Sequence, residues 1–354
     1  MMVAVADRSI RVLVVDDSVS NRKEIVGMLR STSGEFAVIG EASNGEEALR
    51  LALEKEPQAI TLDLEMPVMD GFTFLRILMA QKPIPVIIVS SYANQQNVFK
   101  ALELGAVDFI AKPPPRSGGM GAMRQDLFSK LRLVRSLRIA SLDRPRARKV
   151  EPAGLQIGKT IGIVAVGAST GGPSSLLALF ERLPPDLPLA YLVAQHMPPS
   201  FTRAFAERLD HTLPLKVTEA DGGERIEAGR VYIAPGGKNL TVEKRGDSLV
   251  VRVSASAGKY VPSIDALFES AAKAVGPALL AIVLTGMGDD GSSGVLRVKS
   301  HGGRILAESE KTAVIFGMPG EAVRTGQVDR ICRLDEMPEE IVRFARRLSD
   351  PSAD

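Results

Sequence analysis

A chain of 354 residues has room for two or three domains, and 45% hydrophobic with 24% charged residues supplies ordinary globular cores. The net charge of +2 argues neither for nor against nucleic acid, but the absence of tryptophan and an aromatic content of only 5% speak against base-stacking platforms. One cysteine, Cys332, excludes an internal disulfide and a CxxC metal site and fits a reducing cytoplasm. No run of about 18 apolar residues predicts a membrane span, and Met1–Ile10 has no leader-like apolar core.

From the N-terminus, apolar runs alternate with amphipathic stretches. Strands are predicted at Arg11–Val15, Phe36–Ala42, Ala59–Leu62, Val86–Val89 and Asp108–Ala111. Helices are predicted over Asn21–Leu29, Glu46–Lys55, Phe72–Met79 and Asn97–Leu104, with a last one over Gln125–Ile139. This βα alternation implies a parallel sheet covered on both faces. Lys130–Lys149 carries eight basic residues and one acidic one, and its end reads as an exposed tether.

A second α/β unit follows, with strands at Ile161–Val166, Leu189–Gln195, Leu279–Thr285 and Arg304–Ala307. Between them, Arg230–Ala234 and Leu240–Val253 read as antiparallel, turning at Arg-Gly-Asp-Ser. Cys332 lies in a strand-like run and makes a poor nucleophile. The domains are therefore expected at residues 9–140 and 158–350, joined by a basic linker over 141–157.

In the first unit, polar residues gather at strand ends. Asp16 and Asp17 follow the first strand, Asp63 the third, and Lys112 the run Phe109–Ala111, while Ser90 ends Val86–Val89. The carboxyl ends of parallel strands share one edge of a sheet, where ligands bind. Three clustered carboxylates repel one another unless a cation is present, and their hard oxygens suit Mg²⁺. Asp63 can take up a phosphoryl group as an acyl phosphate, with Lys112 and Ser90 holding its oxygens.

Asp16-Asp17-Ser18, Asp63-Leu-Glu-Met-Pro67 with Asp70-Gly71, Ser90-Ser91 and Lys112-Pro113 resemble the motifs of response-regulator receiver domains. The resemblance implies a flavodoxin-like doubly wound fold and phosphorylation of Asp63 by a histidine kinase. Asp16, Asp17, Asp63 and the backbone carbonyl of Glu65 would hold Mg²⁺, with Ser90 the switch hydroxyl and Phe109 the coupled aromatic. The Gly/Pro-rich loop Pro113–Gly121 has no role in this reading.

In the second unit, Gly167-Ala-Ser-Thr-Gly171 reads as a strand, a turn with Ser169 at its tip, and a helix opening near Pro173. The GxSxG pattern alone is weak, because such turns also cradle phosphates. His196, unlike the helix-end His211 and His301, directly follows a buried strand. Leu279–Thr285 runs into Gly286-Met-Gly-Asp-Asp290-Gly291, whose acids could also cap a helix or bind metal. Together Ser169, His196 and Asp290 make a nucleophile, base and orienting acid, with N–H groups near Thr170 and Met287 for an oxyanion. The chain order differs from that of α/β-hydrolases.

Gly167–Gly172, Gln195-His-Met-Pro198, Thr285–Gly291 and Phe316-Gly-Met-Pro319 extend the resemblance to nearly the whole chain. It is similar to the chemotaxis protein-glutamate methylesterase (CheB) family. The resemblance implies a receiver followed by a doubly wound, mostly parallel esterase domain with an antiparallel hairpin. Its Ser169, His196 and Asp290 would hydrolyse glutamate methyl esters, and deamidate glutamines, on the cytoplasmic helices of chemoreceptors. The esterase chemistry needs no cofactor. The receiver would inhibit until a chemotaxis kinase phosphorylates Asp63. A cytoplasmic monomer that binds no nucleic acid and inserts in no membrane is expected. One block departs from the family: Val261 stands where an arginine usually precedes Pro-Ser-Ile-Asp265. Two other readings, a receiver joined to a DNA-binding module and a dinucleotide site at Gly167–Gly172, lack a helix-turn-helix and a GxGxxG turn respectively.

Overall fold

The computed structural model describes residues 9–91, 95–113, 119–137 and 161–349. They fall into two compact units. The expected linker 141–157 and residues 114–118 of the Gly/Pro-rich loop lie outside the described residues. The helix predicted to reach Ile139 ends at Leu133 instead, passing through a 3-10 turn over Val134–Ser136 into an extended Leu137.

The first unit alternates β1 (Ile10–Val15), α1 (Val19–Arg30), β2 (Phe36–Ala42), α2 (Gly45–Lys55), β3 (Ala59–Leu62), α3 (Gly71–Gln81), β4 (Val86–Ser91), α4 (Gln95–Glu103), β5 (Asp108–Lys112) and α5 (Met120–Leu133). The strands form one parallel sheet in the order β2-β1-β3-β4-β5. All four residues of β3 are buried, as expected of a central parallel strand with helices on both faces. Side-chain caps start the helices: Ser18, Asn44 and Asp70 accept the N–H groups of Asn21, Glu47 and Thr73. Helix α5 begins five residues before the predicted Gln125. Met123 joins Leu127 and Leu131 on its buried face, a stretch that Gly121 disguises in the sequence.

The second unit runs β6 (Gly162–Ala168), α6 (Gly172–Phe180), β7 (Leu189–Gln195), α7 (Pro199–Thr212), β8 (Lys216–Glu219), β9 (Arg230–Ile233), β10 (Lys238–Arg245), β11 (Ser248–Ala255), α8 (Ile264–Val275), β12 (Leu279–Val283), α9 (Ser292–Ser300), β13 (Arg304–Glu308), α10 (Met318–Arg324), β14 (Arg330–Cys332) and α11 (Met337–Ser349). Seven strands form a parallel sheet in the order β14-β13-β12-β6-β7-β9-β8. The chain winds outward from β6 through β7, then returns to lay β12 on the other side of β6. The reversal makes the β12/β6 boundary a topological switch point, where doubly wound sheets open a crevice.

One expectation is corrected. Arg230–Ile233 is not part of the antiparallel pair; β9 lies parallel between β7 and β8. Val231, Tyr232 and Ile233 are all buried, the pattern of a parallel strand covered on both faces. The hairpin is β10 with β11, which leave side chains facing solvent along their length. Strand β8, exposed at its start on the sheet edge, has no counterpart among the predicted strands.

Candidate functional site

The first cluster forms where β1, β3 and β5 end. Oxygens of Asp16, Asp17 and Asp63 all lie within 4.8 Å of one another. Lys112 Nζ bridges Asp16 Oδ2 at 2.8 Å and Asp63 Oδ1 at 3.1 Å. Burial raises the Asp63 pKa, and the Asp16 and Asp17 charges add to it against the opposing pull of Lys112. Burial works against the charge on Lys112, but Asp63 and Asp16 outweigh it and hold its pKa above the ordinary lysine range. Three hard oxygen donors repelling one another fit a divalent cation. Glu65, exposed, lies two residues past Asp63 in the loop before α3. Ser90 is buried on β4. Phe109 is buried with its ring edge-on to Phe99 and Lys130 Nζ 5.3 Å from its centroid.

The second cluster sits at the carboxyl ends of β6, β7 and β12, three adjacent strands. Ser169 follows β6, with its N–H donating to Thr285 O at 3.0 Å and its carbonyl accepting Gly172 N at 2.8 Å. Buried Gln195 braces the turn: its Nε2 donates to Ser169 O and His196 O, both at 2.9 Å. Its Oε1 fills the space beside Gly172, where a Cβ would come within 2.0 Å. The turn therefore requires glycine at 172 before α6 begins.

His196 follows β7 and is tied to the β6 end by its N–H to Ala168 O at 2.9 Å. Its Nε2 bonds Asp290 Oδ2 at 2.8 Å. Asp290 is buried and also accepts the N–H groups of Ile264 at 2.8 Å and Asp265 at 3.0 Å, at the start of α8. Burial pushes its pKa up, but the bonds from His196 and those two N–H groups prevail and bring it below the ordinary value. The helix dipole of α8 favours the same charge. In exchange, Asp265 accepts Gly291 N and Gly294 N at the start of α9. Two helices thus cap each other through adjacent carboxylates, which fixes Asp290 against His196.

Asp289, the neighbouring acid, takes a different place. It is exposed and accepts Lys259 Nζ at 2.9 Å and the Tyr260 hydroxyl at 2.8 Å, which lower its pKa. The Tyr260 ring stacks on His196, with centroids 5.2 Å apart and planes 4° from parallel.

Thr285 ties the turns together. Its Oγ1 accepts Ile315 N at 2.9 Å and lies 2.9 Å from Thr170 O, to which it donates. Gly286 pairs with the Phe316 segment, its carbonyl accepting Met318 N at 2.8 Å. That pairing explains why the Phe316–Pro319 block accompanies the loop. Among the described residues, the N–H groups of Thr170 and Met287 are engaged by no protein acceptor, and no hydrogen bond joins Ser169 Oγ to His196. Such bonds are often long before substrate arrives.

The remaining sequence candidates stand apart. His211 lies in the last turn of α7 and His301 caps α9, both exposed. Cys332 is buried, which pushes its thiol up to about 12. The sequence assigns no individual role to Gln195, Tyr260 or Thr285. Gln195 and Thr285 carried a signal, each being polar at the end of an apolar strand. Tyr260 carried none, since its loop has no periodicity. Among the described residues no helix is long and apolar enough to cross a membrane.

A doubly wound unit with an acidic pocket at its β1/β3 edge, joined to a second doubly wound unit, defines a response regulator with an α/β output domain. Residues 12–120 match the family model for the response regulator receiver domain, and residues 164–341 match that for CheB methylesterase. The chain belongs to the CheB methylesterase family. It is 45% identical over 370 residues to protein-glutamate methylesterase/protein-glutamine glutaminase 3 of Geobacter sulfurreducens, covering 97% of this chain and 99% of that one. It is 47% identical to the sixth such protein of Anaeromyxobacter dehalogenans, covering 97% and 98%. The crystal structure of the Thermotoga maritima CheB methylesterase catalytic domain is similar at 37% identity and a TM-score of 0.51, over 52% of this chain and 99% of that one.

Proposed function

We propose that this chain hydrolyses glutamate γ-methyl esters, and deamidates glutamines, on the cytoplasmic helices of chemoreceptors. Ser169 is the nucleophile, His196 the general base and Asp290 the orienting acid. The observation that carries this reading is the 2.8 Å bond between His196 Nε2 and buried Asp290, on the strand end next to Ser169. The names of the relatives at 45–47% identity support the substrate class.

With the Nε2 proton directed at Asp290, Nδ1 is the basic nitrogen of the ring. It takes the Ser169 proton as Oγ attacks the ester carbonyl. The N–H groups of Thr170 and Met287 receive the oxyanion. The carbonyl reforms as the methoxy group leaves, and the imidazolium returns the proton to it as methanol. Water, deprotonated by His196, then cleaves the acyl-enzyme to free the glutamate and Ser169. A glutamine substrate follows the same course, with ammonia leaving.

Asp63 is the phosphoacceptor for a chemotaxis histidine kinase. Asp16, Asp17, Asp63 and the Glu65 carbonyl would hold Mg²⁺, which would supply neutralisation of phosphoryl charge at Asp63. Lys112, Ser90 and Phe109 carry the consequence into the receiver, and its unphosphorylated state restrains the esterase. The protein works in the cytoplasm as a monomer.

The test is methanol release from methylated receptor membranes, with and without acetyl phosphate and Mg²⁺, by wild type and Ser169→Ala. Stimulated release that vanishes in the variant supports both sites. No release by the phosphorylated wild type, on receptors of its own organism, overturns the reading.

A further inference from the structure

We infer that Tyr260 is a positioning residue for His196, and that Lys259 and Asp289 hold Tyr260 in place. The inference rests on His196 being the general base. The bond from Nε2 to Asp290 fixes one edge of the imidazole. A single hydrogen bond is a hinge, about which the ring can tilt and carry Nδ1 away from the Ser169 turn. The Tyr260 ring removes that freedom by lying against the imidazole face, 4° from parallel at 5.2 Å between centroids. That spacing belongs to offset-stacked rings, which attract beyond the area they bury.

Tyr260 is itself anchored. Its hydroxyl donates to Asp289 Oδ1 at 2.8 Å, and Lys259 Nζ donates to the same oxygen at 2.9 Å. Lys259 Nζ also lies 4.6 Å from the Tyr260 centroid. The loop from β12 leaves room for this strut only because residue 288 is glycine: a Cβ there would come within 2.4 Å of the Tyr260 hydroxyl, at a φ of +96°.

The two adjacent acids therefore divide one task. Asp290 holds the edge of the imidazole directly, and Asp289 holds its face through Tyr260. Lys259 and Asp289 are both exposed, and exposed ion pairs contribute little to stability. The strut's effect is on the orientation of the imidazole.

The experiment uses the full chain with acetyl phosphate and Mg²⁺, and reads kcat and KM on methylated receptor membranes for Tyr260→Phe, Tyr260→Leu and Tyr260→Ala. A second reading is the proton NMR resonance of the His196–Asp290 bond, assigned by its loss in His196→Gln. Tyr260→Ala should lower kcat by about 10- to 100-fold with KM nearly unchanged, and should broaden the resonance. Tyr260→Phe, which keeps the ring but loses the bond to Asp289, should fall between wild type and Tyr260→Ala in both kcat and line width. A folded Tyr260→Ala with wild-type kcat overturns the inference. So does a rise in KM alone, which would make Tyr260 a substrate contact, or equal rescue by leucine. If the wild type releases no methanol, the esterase reading fails, and the resonance alone decides: sharp in Tyr260→Ala refutes the strut, broadened supports it.

Discussion

His196 meets Asp290 through Nε2, at 2.8 Å, which leaves Nδ1 as the ring nitrogen without a protein partner among the described residues. A carboxylate can only accept, so it selects the tautomer with its proton on Nε2 and makes Nδ1 the acceptor. Asparagine at 290 can turn its amide N–H to the ring and select the opposite tautomer. Asp290→Asn should therefore lower kcat by roughly 10⁴-fold while the chain stays folded. The depressed pKa of Asp290 also stabilises the folded chain. That contribution is full above the ordinary carboxylate value and is lost as pH falls through the lowered one. Acid melts of the two proteins should converge. Methanol release and melts across pH check both outcomes.

Thr285→Val tests the joint between the two turns. Valine matches the shape of threonine but strands Ile315 N and Thr170 O, both held by the buried hydroxyl. An unsatisfied buried group costs about 1–3 kcal/mol. The variant should melt earlier and lose kcat more than KM, because Thr170 and Met287 lose their fixed spacing. An unchanged kcat in a destabilised variant would mean that the hydroxyl serves the fold alone.

Much of this architecture is legible in the sequence, for a definite reason. A parallel strand buried on both faces writes itself as a mostly apolar run, and an ionisable residue directly after it marks its end, as Asp16 follows β1, Asp63 follows β3 and His196 follows β7. Strand order does not write itself in that way. Nothing local says that β12 returns beside β6, yet this is what brings His196 and Asp290 together across 94 residues. The family motif favours Asp290 over Asp289 because it precedes Gly291, but the physical reason, the N–H groups of the first turn of α8 that it accepts, is a tertiary fact. Arg230–Ile233 reads as hairpin because a short β-branched and aromatic run carries no mark of its partners' direction.

Gly286→Ala examines close packing under the serine. A Cβ at 286 would stand 2.7 Å from Ser169 Cβ and 2.5 Å from Met318 Sδ. The thioether can swing aside, but Ser169 is held by its backbone bonds to Thr285 and Gly172. Overpacking of this kind costs about 1–3 kcal/mol. We expect a modest drop in melting temperature and a disproportionate fall in kcat, measured on the same preparation. A stable variant with full activity would show that the Ser169 turn tolerates displacement.

The receiver pocket gives the last expectation. The Asp63 carboxyl is pushed above its ordinary pKa, first by burial and then by Asp16 and Asp17, against the pull of Lys112. The folded chain therefore holds a proton there more tightly than the unfolded chain. Ionising Asp63 costs stability: the cost is absent below the ordinary carboxylate pKa, grows as pH rises through the raised one, and is complete above it. A divalent cation bound among the three carboxylates removes that cost. At neutral pH in EDTA, Asp63→Asn should melt above the wild type. Mg²⁺ should raise the wild-type transition, by about 2.7 kcal/mol at a hundredfold excess over its Kd, and raise that of the variant far less. Calorimetry of the full chain, following the receiver transition, reads both. Equal responses to Mg²⁺ would mean that Asp63 is no part of the cation site and that its raised pKa reflects burial alone.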